Sequence, residues 1–219
     1  MLLSIHQEHT LKRHTPSRRE ILENCIGRGL LLASIPMSST SLFALWQQGE
    51  KMAAKPTSTD VLGPFFKKGA PNQTKLHTPG DPGFPLRVSG KVVNTRGDAV
   101  PGARVEIWHA DHVGLYDLQG YRYRTKLEIE QKGEYSIDTI LPGHYDDRPA
   151  QHIHYMITAP GHRTLVTQAY FATDPFFKGD PDKNMRIASS RELIRPVTLI
   201  ERPGAPRATI TFDICLEKA

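Results

Sequence analysis

His152-Ile153-His154-Tyr155-Met156-Ile157 is the stretch on which the reading of this chain turns. Side chains of a strand alternate between two faces, so Ile153, Tyr155 and Ile157 fall on one side and the two imidazoles on the other, roughly 6.5 to 7 Å apart at the backbone. One face is expected to pack into a core and the other to stay open for chemistry. Outward from this segment the alternation repeats. Leu86 to Val92 alternates, Asn94-Thr95-Arg96-Gly97-Asp98 supplies a turn, and Ala103-Arg104-Val105-Glu106-Ile107-Trp108 puts Val105 and Ile107 on a shared face. Gln131-Lys132-Gly133-Glu134 turns into a strand from Tyr135 to Ile140. Thr209 to Leu216 closes the chain, with Ile210, Phe212, Ile214 and Leu216 as an inward row. Met185 to Leu193 reads as a short helix or an irregular segment. Short alternating runs broken by Gly, Pro, Asp and Asn, with little 3.6-residue periodicity, predict an all-β domain of two packed sheets.

A single metal ion can take both imidazoles of His152 and His154. His-X-His by itself is common to zinc, copper and ferrous sites, and a histidine pair on a strand also occurs as a satisfied polar face. Two isolated tyrosines narrow the choice: Tyr116 in Gly114-Leu115-Tyr116, and Tyr145, seven residues before His152. A free phenol has a pKa near ~10, so its ligation needs a cation acidic enough to remove that proton at neutral pH. Ferric iron, which favours hard anionic oxygen donors, fits such a set, and zinc fits poorly. The remaining histidines read otherwise. His109 stands at a strand end before an Asp-containing loop, His112 is not convincing as a ligand, and His144 and His162 flank glycines in loops as solvated residues. Asp146 and Asp147, adjacent in an extended segment, face opposite ways and cannot both reach one ion.

Val105-Glu106-Ile107-Trp108-His109-Ala110-Asp111, Gly114-Leu115-Tyr116 and Tyr135 through Tyr145 resemble the intradiol ring-cleavage dioxygenases, as do Arg148-Pro149-Ala150, His152-Ile153-His154 and Thr167-Gln168-Ala169-Tyr170-Phe171. The resemblance runs in order from about Leu62-Gly63-Pro64-Phe65-Phe66 to the C-terminus. It implies a prealbumin-like two-sheet β-sandwich with long active-site loops, and Fe(III) held by Tyr116, Tyr145, His152 and His154. It also implies that Tyr145 is the labile ligand and a base, that Arg148 stabilises negative charge, and that Gln168 assists by hydrogen bonding. The substrates so implied are dioxygen and an aromatic ortho-diol, cleaved between its hydroxylated carbons to a muconate-type diacid. In one respect the chain departs from the pattern: Gln151 stands between the Arg-Pro-Ala run and the first histidine. Loops from Leu62 to Phe66 and from Tyr116 to Arg124 would shape the mouth. There Phe65, Phe66, Leu115 and Tyr121 are expected to form an apolar wall, and Arg122 and Arg124 to read an acidic substituent. Taken singly, Tyr116 and Tyr145 also read as turn-capping phenols, Gln168 as a strand surface residue, and Arg148 as an ion-pair partner of Asp146 or Asp147. A noncatalytic prealbumin-like or carboxypeptidase-regulatory-like binding module is the alternative reading, because the pattern from Val88 to Tyr135 speaks to fold alone. It leaves the joint order of the tyrosines, histidines and Gln168 unexplained.

The N-terminus is a separate matter. Ser17-Arg18-Arg19-Glu20-Ile21-Leu22, followed by the weakly apolar Gly29 to Ile35, reads as a twin-arginine (Tat) signal peptide. The expected division is a leader and linker over 1–50 and the catalytic sandwich over 51–219. Localisation is accordingly expected to be periplasmic or secreted, with the Tat export machinery as a partner. Arg28, Gly29 and Pro36 interrupt the apolar run well short of the ~18 to 20 residues a spanning helix needs, so no stable membrane span is expected. Loss of residues 1–45 removes five Lys/Arg and three Glu, lowering the formal charge from +5 to +3, too small a bias to imply nucleic acid. Of two cysteines, Cys25 falls in the leader and Cys215 near the end, so the mature chain is expected to lack an internal disulfide, with Cys215 a half-buried strand residue. At 219 residues and 38% hydrophobic content the chain suits one domain. Any homo-oligomer would use the sandwich surface.

Overall fold

The computed structural model describes residues 54–145, 150–177, 188–201 and 205–219. The stretch 1–50, expected as a leader, lies outside these residues, and so do Asp146, Asp147 and Arg148. Ten strands follow one another: β1 (Pro85–Asn94), β2 (Arg104–Trp108), β3 (Arg124–Glu128), β4 (Glu134–Ile140), β5 (His152–Thr158), β6 (Leu165–Phe171), β7 (Ile194–Arg195), β8 (Thr198–Ile200), β9 (Arg207–Thr211) and β10 (Ile214–Leu216). They form two mixed five-stranded sheets, the all-β architecture the alternation predicts. In the first sheet β1 pairs antiparallel with β4 and parallel with both β9 and β10, and β8 flanks β9. The second runs β3-β2-β5-β6-β7 and is antiparallel except for β6 and β7.

The reason for two layers is visible in each strand. Leu86, Val88 and Val92 of β1 are buried while Arg87 and Lys91 are exposed; Val105 and Ile107 of β2, Ile137 of β4, and Ile153, Tyr155 and Ile157 of β5 join them in one core. Full burial of side chains of this size is worth about 1.5 to 3 kcal/mol each, which makes the inward rows the main stabilising feature. The expected closing strand is two strands. The chain jogs at Phe212-Asp213, where Asp213 accepts the Lys91 amide at 2.9 Å, so β9 lies beside the first half of β1 and β10 beside the second. Ile210, Phe212, Ile214 and Leu216 nonetheless all point inward. From the Met185 to Leu193 segment, the described part holds a single 3-10 turn, Arg191–Leu193. Cys215 is more deeply buried than half, at 7% exposure on β10.

Two segments outside the strands tie the layers together. Residues 71–76 lie along the outer edges of both sheets: Pro71 O accepts the Lys126 amide of β3, Thr125 Oγ1 donates to Gln73 O at 2.6 Å, and Thr74 O and the Leu76 amide bond to Asp138 of β4. Residues 54–61 cross at the other side. Thr57 exchanges hydrogen bonds with Cys215 of β10, the Asp60 amide donates to Val166 O of β6, and Ser58 donates to Glu192. Among the described residues no helix is long and apolar enough to cross a membrane.

Candidate active site

The face of the second sheet turned away from the core carries the candidate residues of β5 and β6. Register puts Arg124 of β3, Trp108 of β2, His154 of β5 and Gln168 of β6 side by side in one row across four strands, with His152 and Tyr170 paired in the next. His154 lies parallel to the Trp108 indole, at a centroid distance of 4.9 Å and an interplanar angle of 2°, and Phe66 covers the indole at 5.1 Å. Both histidines are consequently buried, at 3% and 1% exposure, and this face is far less open than alternation alone predicts. Its cover comes from loops: Gly63 lies against the His154 ring, where a Cβ would stand 3.0 Å from Cε1.

The tyrosines arrive from two loops that meet backbone to backbone. After β2 the chain makes a tight turn in which Asp111 Oδ1 accepts the Val113 and Leu115 amides. Gly114 sits there at φ +88°, and a Cβ on it would come within 2.0 Å of His144 O, so a residue without a side chain is required at this crossing. Gly143 closes the contact by donating to Asp111 O at 2.7 Å. The result places the Tyr116 and Tyr145 rings edge to face at 5.8 Å, with Phe65 stacked on Tyr116 at 4.1 Å.

Three of the four donor groups meet at hydrogen-bonding distance. Tyr145 Oη is 3.2 Å from His152 Nε2, which is itself 3.2 Å from His154 Nε2. His152 Nδ1 faces Ala150 O at 2.8 Å, and a carbonyl can only accept, so Nδ1 carries the proton and Nε2 presents a lone pair to the cluster. Tyr116 completes the group, its ring 6.3 Å from that of His154. Two imidazole nitrogens in contact with one phenolic oxygen, and a second tyrosine ring beside them, are groups of the kind that suit a hard, acidic cation.

Gln168 is fully buried rather than a strand surface residue; its Nε2 donates to Val61 O at 2.6 Å and its Oε1 accepts from Tyr170 Oη at 3.0 Å. Arg124 also differs from expectation. It is buried, its guanidinium donates to Phe65 O at 2.7 Å and Asp117 O at 3.3 Å, and burial draws its pKa down, so it clamps the two loops and does not face a substituent. Arg122 pairs with Asp81 at 3.3 Å. Of the apolar wall, Phe65 and Phe66 line the cluster, whereas Tyr121 donates to Lys68 O and Leu115 points to solvent. His109 is no ligand: Nδ1 faces Ala110 O at 2.6 Å and Nε2 faces Thr139 Oγ1 at 2.7 Å. His144, expected as solvated, bonds through Nε2 to the buried Asp174 at 3.0 Å. Asp174-Pro175 follows Thr167 to Phe171 in the stretch that resembles the family, but the sequence assigns Asp174 no role.

A mixed β-sandwich that brings two tyrosines against a His-X-His strand is an arrangement consistent in fold and site with one class of oxidoreductase. The family model described as Dioxygenase matches residues 61–218. This chain belongs to that family and is an intradiol ring-cleavage dioxygenase. It is 30% identical to hydroxyquinol 1,2-dioxygenase of Nocardioides simplex, over 87% of this chain and 73% of that protein, and 30% identical to chlorocatechol 1,2-dioxygenase of Rhodococcus opacus, over 74% and 72%. Among solved structures, the dioxygenase domain of a dioxygenase carbohydrate-binding protein fusion from the cellulolytic bacterium Streptomyces sp. SirexAA-E superposes with a TM-score of 0.64 at 33% identity, covering 75% of this chain and all of that one. The 3-chlorocatechol 1,2-dioxygenase of Rhodococcus opacus 1CP shares the fold at 21% identity, TM-score 0.65, over 83% of this chain and 79% of that one.

Proposed function

We propose that this enzyme uses Fe(III), held by Tyr116, Tyr145, His152 and His154, to cleave a catechol-type diol with both atoms of dioxygen. The observation that carries the reading is the contact of Tyr145 Oη, His152 Nε2 and His154 Nε2, each step 3.2 Å, with His152 Nε2 left as a lone pair by its Nδ1 contact. Bound there, the ferric ion would supply Lewis acidity and accept electron density from the diol. The residues supply the rest. Tyr145, partly exposed on a loop, takes a hydroxyl proton from the entering diol as it leaves its place. Trp108 and Phe66 keep water from the His154 side, and Phe65 stacked on Tyr116 offers a flat apolar wall to a ring. Gln168, held at both ends of its amide, gives a rigid polar edge beside His154. Arg148 is proposed to stabilise charge developing on the ring. Export by the twin-arginine route belongs to the same proposal, since that route carries folded proteins and a metal could be acquired before transport.

The test is direct. Phenolate bound to ferric iron absorbs visible light, so the purified protein is expected to be red to burgundy with about one iron per chain, and Tyr145→Phe is expected to weaken or shift the band. Catechol, hydroxyquinol and chlorocatechol offered with dioxygen should each be scored for oxygen uptake and a muconate-type product. A colourless protein that holds only zinc after iron-replete expression rejects the assignment.

A further inference from the structure

Gln151, the residue that departs from the family pattern, has two hydrogen bonds that a surface insertion has no need of. Its backbone N–H donates to Asp174 Oδ2 at 2.7 Å, and its Nε2 donates to Pro142 O at 2.8 Å. Asp174 Oδ2 also accepts from His144 Nε2 at 3.0 Å, while Oδ1 accepts the Phe176 amide at 2.9 Å. The carboxylate has a side-chain exposure of 0%. A buried carboxylate is stable only when hydrogen-bonded, and this one is met by two backbone amides and an imidazole.

The positions of these partners matter. His144 immediately precedes Tyr145, and Gln151 immediately precedes His152. Asp174 therefore holds the His144 imidazole on one side and the Gln151 backbone N–H on the other, each one residue away from a member of the 3.2 Å pair Tyr145 Oη and His152 Nε2. Both the N–H and the side chain of Gln151 are thus engaged at the start of β5, where His152 stands in register with Tyr170.

We propose that Asp174 and Gln151 form a clasp that positions Tyr145 against His152, setting how firmly the phenol is held and how it is displaced when substrate enters. Asp174 acts through its neighbours and is a positioning residue. The proposal rests on the metal reading above for its functional consequence, and on the hydrogen bonds alone for the clasp itself.

Asp174→Asn is the test. An amide cannot serve both ends: with Nδ2 in place of Oδ2 it opposes the Gln151 N–H, and turned over it opposes the Phe176 N–H. The first readout needs no metal. Hydrogen exchange of the Gln151 or Phe176 amide is expected to quicken at least tenfold in the full-length variant. The second is functional: kcat is expected to fall tenfold or more with KM changed less, the visible band to shift, and iron release to a chelator to quicken. A purely structural role predicts lower thermal stability with band position, release rate and kcat unchanged at 20 °C, and that outcome overturns the proposal. Should Asp174→Asn not fold, Gln151→Ala removes only the Pro142 contact and is expected to move the same readouts by a smaller factor; unchanged values there overturn it equally. A wild-type protein that takes up no iron rejects the metal reading, while the exchange experiment still decides the clasp.

Discussion

Burial strips the His109 imidazole of water and lowers its pKa from 6.5 to about 4, against the opposing pull of its bond to Ala110 O. The folded state thus keeps this ring neutral while the unfolded chain takes up a proton below about pH 6.5. Its contribution to stability is whole above that pH and is lost as the pH falls toward 4. Between pH 7 and pH 4.5 the loss is expected to be about 2 to 3 kcal/mol. Urea unfolding of wild type and His109→Gln at the two pH values checks this: the variant should lack that part of the decline, and an equal decline in both would assign it to other groups. Single residues were unevenly legible. His-X-His alternation placed both imidazoles on one face, as observed, because strand geometry leaves no alternative. Arg124 was not legible as a loop clamp. Its role depends on the carbonyls of Phe65 and Asp117, and no local pattern links an arginine to a backbone oxygen 59 residues away.

At the scale of elements, strands with one wet face announced themselves and the others did not. β1, β2, β4 and β5 were expected within a residue or two of where they lie. β6 was not read from alternation because six of its seven residues are buried, leaving no polar beat. β3 reads Arg-Thr-Lys-Leu-Glu, and its buried residues include an arginine on one face and a threonine on the other, which disguises a strand as a loop. The arm from 54 to 61 was the least legible element. Its sequence is polar and turn-like, yet it bonds to Cys215, Glu192, Val166 and, through Val61 O, to Gln168. This makes the arm part of the site's support. A protein starting at Lys51 is expected to melt within a degree or two of the full chain. One starting at Val61 loses at least five hydrogen bonds, each worth about 0.5 to 1.5 kcal/mol net, and should melt several degrees lower with weaker activity. Equal melting temperatures for the two would remove the arm from the account.

For the whole molecule, the export proposal places the leader and the sandwich in sequence: a folded domain, stable by its own core, is what the twin-arginine route accepts. Replacing both Arg18 and Arg19 by lysine preserves charge and is expected to leave the precursor in the cytoplasm with its sandwich intact and active. Undiminished arrival in the periplasm, followed by fractionation and immunoblotting, would sink the twin-arginine reading.

The strap at 71–76 has a social consequence for the molecule. Strand edges are where one β protein invites another to continue its sheet. Along β3 and β4 that invitation is withdrawn, because Pro71, Gln73, Thr74 and Leu76 already occupy backbone or side-chain partners there. In a crowded solution a stranger's extended segment finds those seats taken. What the described strands still offer at their margins is short: the two-residue β7 and the three-residue β8, where Leu199 is 62% exposed. Among the described residues, copies of this chain that associate are left the side chains on the sheet faces and those short margins, and the edges of β3 and β4 are closed to fibrous aggregation by the six unassuming residues 71–76.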